Sequence, residues 1–185
     1  MYPVYAKVKD KKYKINTDFR VALECNKIFN SSVSDEEKAL AVIYLLFGDE
    51  GLDNSRDWSD LIEKAQKYLL CGKEPEKSEK VDMDYEQDRG LIVASFFTDY
   101  GIRDIYNENN IHWWYFNDLM QGLTDKCALS RVRELRNYDT SDIKDAKFKQ
   151  EIEKNKEKVK LKINKKEATE KQKKSSDNFY DKLGL

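Results

Sequence analysis

Ser34-Asp35-Glu36-Glu37-Lys38-Ala39-Leu40-Ala41-Val42-Ile43-Tyr44-Leu45-Leu46-Phe47-Gly48 decides the fold. Ser34 with Glu37 three residues on is a capping box, in which each residue's side chain takes the other's backbone N–H. Acids in the first turn suit the positive end of the helix dipole. From Ala39 to Phe47 the run is apolar nearly all round, so this helix is expected at the domain centre, with Gly48 ending it and Asp49 to Asp57 as a polar loop. A chain organised around such a helix, with 7 Gly and 2 Pro in 185 residues, is mainly helical rather than a turn-dense β protein.

On the N-terminal side, Val4, Ala6 and Val8 alternate with polar or small neighbours, Lys9-Asp10-Lys11-Lys12 reads as a turn, and Tyr13 and Ile15 alternate again, which predicts a β-hairpin. Thr17 or Asp18 can cap a first helix whose buried side includes Val21, Leu23, Ile28 and Phe29. On the C-terminal side, Trp58, Leu61, Ile62, Ala65 and Leu69 make a third helix, closed by Gly72. A charged linker, residues 73–80, follows it. Asp82 to Asp88 is read as the opening of a fourth helix carrying Leu91, Ile92, Phe96 and Phe97. A fifth begins at Ile111-His112-Trp113-Trp114-Tyr115-Phe116, and a sixth spans about 128–137 with Leu129, Val132 and Leu135 inward.

Charge divides the chain. Residues 141–185 carry 14 Lys and 9 acids, a net of +5, which leaves −6 for the rest of a chain whose total is −1. The expected organisation is a hairpin plus a bundle of about six helices over 1–140, and a Lys/Glu-rich extension over 141–185 that is helical or partly disordered. Within the extension, Phe148, Ile152, Asn155, Val159 and Ile163 favour a thin amphipathic helix. Val159 to Ile163 also alternates as a strand would.

No catalytic, cofactor-binding or metal-binding set is expected. The phosphate-cradling glycine loops, the serine-hydrolase elbow and the paired-histidine zinc motif are all missing. His112, the single histidine, sits beside two tryptophans on a helix and is read as a packing residue. Asp82, Asp84, Glu86 and Asp88 fall at every second position, where Glu86 alone is in reach of Asp82 on a helix, so capping explains them better than a metal does. Cys25, Cys71 and Cys127 are odd in number and form no C-x-x-C, which suits a reducing compartment. A mean hydropathy of −0.85 and the lack of a long apolar run predict no membrane partner. Nucleic acid is not the expected partner either, since Glu151, Glu153, Glu157, Glu167 and Glu170 interleave the lysines of the extension.

The fifth helix carries two apolar stripes. Ile111, Trp114, Tyr115 and Leu119 form one; Trp113, Phe116, Met120 and Leu123 form the other. Both cannot point inward without more protein or a partner. Core packing is the first reading for Trp114 and Phe116, and Trp113 stands between core and surface. If a partner is held here, Trp113, Trp114, Phe116 and Met120 are the residues expected to hold it.

Several segments in order resemble the bacteriophage "gp-fifteen" family: Tyr13 to Arg20, Ser34 to Lys38, Cys71-Gly72-Lys73-Glu74, Asp84-Tyr85-Glu86-Gln87-Asp88, Ile111 to Phe116, and Gly122-Leu123. The resemblance spans about residues 8–150. It implies a tail-morphogenesis protein of long-tailed phages and prophages of Gram-positive bacteria, similar to tail assembly chaperones, working in the host cytoplasm. The implied partners are the tape measure protein and the tail tube protein, together with self-association. The alternatives are a structural virion component, such as a tail or connector subunit, and a nucleic-acid-binding regulator acting through the basic extension.

Overall fold

The computed structural model describes residues 1–74 and 81–162. Over these the chain is mainly helical, with one antiparallel hairpin at the N-terminus. It divides into two units. The first contains residues 1–74 and 108–121, and the second 81–107 and 122–162.

In the first unit, strands β1 (Tyr5–Val8) and β2 (Lys11–Lys14) pair with Ala6 opposite Tyr13 and Val8 opposite Lys11. The turn is tighter than the sequence suggests: two residues, Lys9 and Asp10, with Lys9 at φ 53°. Lys11 and Lys12 therefore belong to β2. Ala6, Val8 and Tyr13 point into the core. The Tyr13 hydroxyl donates to Asp57 Oδ2 at 2.7 Å, and Lys9 Nζ lies 2.9 Å from Asp57 Oδ1, so one carboxylate anchors the hairpin.

Helix α1 (Phe19–Phe29) is capped by Asp18, whose Oδ1 accepts from the Arg20 backbone N–H at 2.9 Å. The Arg20 guanidinium on the same carboxylate holds Asp18 below the usual carboxylate range, against the opposing effect of burial. Its buried side is Phe19, Ala22, Leu23 and Cys25; Val21, Ile28 and Phe29 are only half-buried.

Helix α2 (Asp35–Leu52) starts as its capping box dictates. Ser34 Oγ accepts from the Glu37 N–H, and Glu37 Oε2 takes the Ser34 N–H at 2.9 Å. Replacing Ser34 by Ala removes that acceptor and is expected to lower Tm by roughly 2–4 °C in a thermal melt. Gly48, at φ 65° and ψ −160°, breaks the helical path, and one further turn follows to Leu52. The stretch expected as a loop after Gly48 is thus largely wound, with Ser55–Asp57 as a 3₁₀ turn. The helix is central but not enclosed: Val42, Ile43, Leu46 and Phe47 are buried, whereas Tyr44 is exposed. Helix α3 (Trp58–Leu69) buries Leu61, Ile62, Ala65 and Tyr68.

In the second unit, helix α4 (Arg89–Tyr100) begins seven residues later than the expected opening at Asp82, and Gly101 ends it in the left-handed conformation. Asp84 Oδ1 accepts from the N–H groups of Glu86 and Gln87, closing residues 84–87 into a turn instead of a helical start. Ile92, Ser95 and Phe96 face inward, and Phe97 is 59% exposed. After a 3₁₀ turn at Ile105–Asn107 come α5 (Trp113–Gln121, part of the first unit), α6 (Ala128–Asn137) and α7 (Ala146–Val159).

Helix α7 is tied into the second unit by hydrogen bonds. Arg136 Nε donates to Val159 O at 2.6 Å, and the Gln87 side chain donates to Lys160 O and accepts from Lys162 N–H, both at 2.9 Å. The extension is therefore helical as far as Val159, in keeping with the amphipathic reading; Ile163 and everything beyond lie outside the described residues. Arg136 also grips Asp88 through two bonds of 2.6 and 2.7 Å and donates to Asp82 O at 2.8 Å. Arg133 and Asn137 hold the Asp82 carboxylate. The acidic run 82–88 thus serves as a set of anchors for the arginines of α6.

Candidate partner-binding surface

Helix α5 is set in place from its N-terminus. The backbone of Thr17–Phe19 pairs with Ile111–Trp113: the Phe19 N–H donates to Ile111 O at 2.9 Å, and the Trp113 N–H to Thr17 O at 2.8 Å. His112 caps the helix. Its Nδ1 accepts from the Trp114 N–H, and its Nε2 meets the Pro3 carbonyl, each at 3.0 Å. A carbonyl can only accept and an N–H only donate, so the ring proton is on Nε2. The imidazole stacks on Tyr2 with ring centroids 5.0 Å apart. Its role is positional: it joins the N-terminal segment to the start of α5.

The tandem tryptophans have a specific job. The last carbonyls of a helix have no partner inside it. Trp113 Nε1 donates to Leu69 O at 3.0 Å, and Trp114 Nε1 to Tyr68 O at 2.9 Å, so adjacent indoles satisfy adjacent carbonyls at the end of α3. Beside them the chain turns through Cys71 (φ 54°) and Gly72 (φ 75°). A Cβ on Gly72 would stand 3.1 Å from Trp114 Cη2, so glycine is needed there for its conformation and for its size.

The structure places the four expected contact residues unequally. Trp113 is 3% exposed and Phe116 is fully buried. Phe116 stacks on Phe19 with centroids 4.4 Å apart and lies 5.9 Å from the Trp113 ring. In this packing neither ring offers surface to a partner. Trp114 and Met120 are half-buried, and the outward residue of the aromatic run is Tyr115, 42% exposed.

Tyr2, which sequence reasoning passed over, completes the outer face. Its ring lies 6.5 Å from Trp114 and 6.3 Å from Tyr115, and its hydroxyl donates to Asp118. That carboxylate pushes the Tyr2 phenol up from its ordinary value. Tyr2, Trp114 and Tyr115 make an aromatic ledge on the first unit, continued along α5 by half-buried Leu119. The nearest sequence signal was the tyrosine itself, in an N-terminal stretch otherwise read for its strand alternation.

The ledge is built of aromatic faces. The Tyr2 hydroxyl is held by the Asp118 carboxylate, and both ring nitrogens of neighbouring His112 are engaged. Among the described residues, no group of three His, Cys, Asp or Glu side chains could hold a metal ion. No described helix is long and apolar enough to cross a membrane. No curated protein and no solved structure matches the chain. The family model described as "Bacteriophage Gp15 protein" does match, over residues 3–161, and the chain belongs to that family.

Proposed function

We propose that this phage protein is a tail assembly chaperone, which binds the tape measure protein during tail morphogenesis through the aromatic ledge of its first unit. The observation that carries the reading is the exposure of Tyr2 and Tyr115 around a half-buried tryptophan. Aromatic anchors of this type fit the apolar stripe of an amphipathic helix, and they release it again because one ledge buries little area. Family membership supports a role in building the particle. Binding of this kind needs no nucleophile and no cofactor.

The test is co-expression of the full chain with the tape measure gene of the same phage. The soluble fraction of tape measure is expected to rise with the native chain, the two proteins to co-purify, and Tyr115→Asp to weaken capture at least about tenfold. Unchanged solubility with nothing co-purified would defeat the proposal. Mass spectrometry of purified virions decides between a chaperone, which is left behind, and a structural tail or connector component, which is retained.

A further inference from the structure

The N-terminal hairpin treats its lysines in two ways. Those that reach the body of the first unit are matched with acids: Lys9 with Asp57 and Asp60, and Lys11 with Glu50. The outward face carries Tyr5, Lys7, Lys12 and Lys14, all exposed. Among the described residues, these three ammonium groups have no ion-pair or hydrogen-bond partner. The register sets Lys7 directly opposite Lys12, and Tyr5 opposite Lys14. The Ile15 N–H donates to Val4 O at 2.9 Å. Bonded and unbonded pairs alternate from there, so both outward pairs are of the unbonded kind, in which side chains stand closer. Like charges so placed destabilise a sheet. The hairpin's one carboxylate, Asp10, lies in the turn. Lysines on exposed strands also guard against edge-to-edge pairing, but that role is indifferent to the sign of the charge and does not require two lysines face to face.

We propose that this face binds carboxylates of the same polypeptide that the aromatic ledge holds, so that the partner's segment carries acidic residues beside its apolar stripe. The inference rests on the reading of the ledge given above. Tyr2 of the ledge and Tyr5 of the hairpin face are three residues apart, at most about 11 Å along the chain. Three turns of a partner helix, about 16 Å, reach across both. Charge favours a polypeptide over a nucleic acid. Three lysines meet a few carboxylates, whereas a nucleic-acid strand presents a long run of phosphates. The net −6 of residues 1–140 repels such a polyanion as a whole, while a short acidic segment is paired locally.

Capture of tape measure by the full chain, after nuclease treatment, is the measurement. Lys12→Glu turns a repelling cross-strand pair into an attracting one. It should raise Tm by about 1–3 °C and still weaken capture about threefold. Changing Lys7, Lys12 and Lys14 together to Glu should weaken capture at least about tenfold. Changing the same three to Gln should remove most of the salt dependence that the native chain shows between ~50 and ~300 mM. Three exposed lysines of α7, Lys147, Lys154 and Lys158, changed to Glu, should leave capture as it was. Capture that is lost in Tyr115→Asp but unchanged in the triple Glu variant overturns this proposal and leaves the ledge standing. A native chain that captures nothing removes the ledge reading and this one with it. Equal losses from the α7 variant overturn the proposal, as does a labelled oligonucleotide that binds the native chain and not the triple Glu variant.

Discussion

Replacing Arg136 by alanine is expected to cost about 3–5 kcal/mol of stability. The Arg136 and Asp88 side chains are 8% and 2% exposed, and they meet through two parallel N–H···O bonds. Removing the guanidinium leaves a carboxylate in the interior with, among the described residues, the Asp84 N–H to answer it. It also strips the Asp82 carbonyl and the α7 terminus at Val159 of their donors. Arg136→Lys should recover only a small part of the loss, because a point ammonium cannot span two carboxylate oxygens and two carbonyls together. Urea unfolding measures the loss, and hydrogen exchange locates it: amides of α7 should lose protection first. A loss below about 1 kcal/mol would mean that the pair is not what holds α7.

The pair cannot be credited with adding that amount to the fold. Bringing two charges out of water offsets most of their attraction, and the cost appears when one partner is removed and the other stays buried. The substitution Asp88→Leu with Arg136→Met should therefore be milder than either Asp88→Ala or Arg136→Ala alone. What the pair supplies is registry. One guanidinium fixes the 82–88 turn, the last turn of α6 and the end of α7 relative to one another within the second unit.

Features written in local sequence were legible, and those that depend on distant partners were not. The capping box at Ser34 and the apolar spacing of α3 and α6 are signals within a few residues, and these helices begin where the sequence places them. The 82–88 run was different. Acids before an apolar segment look like a helix start, yet their directing partner, Arg136, is 48 positions away from Asp88. The two stripes of α5 posed the same difficulty. Periodicity shows that both are apolar, but not that two carbonyls at the end of α3 draw Trp113 and Trp114 onto them. Nor does it show that Phe19 is waiting under Phe116. The inward side of α4 could not be chosen from the pattern for a different reason: the helix is apolar around most of its circumference.

The aromatic run itself gives the sharpest separation of core from surface. Phe116→Ala should destabilise the chain by about 3–5 kcal/mol. The ring is fully buried, stacked between Phe19 and Trp113, and its removal opens a cavity where α1 meets α5. The backbone pairing of Thr17–Phe19 with Ile111–Trp113 pins both helix starts, so the walls cannot collapse to fill that space. Tyr115→Ala, one residue earlier on the open side, should stay within about 0.5 kcal/mol of the native chain. In the capture assay the order reverses: Tyr115→Ala should lose tape measure while remaining folded, and Phe116→Ala should lose it only in proportion to the fraction unfolded. Chemical denaturation and capture, run on the same two variants, therefore separate the ring that builds α5 from the ring that α5 displays. Equal stability losses would place both rings in the core and leave the ledge without its central residue.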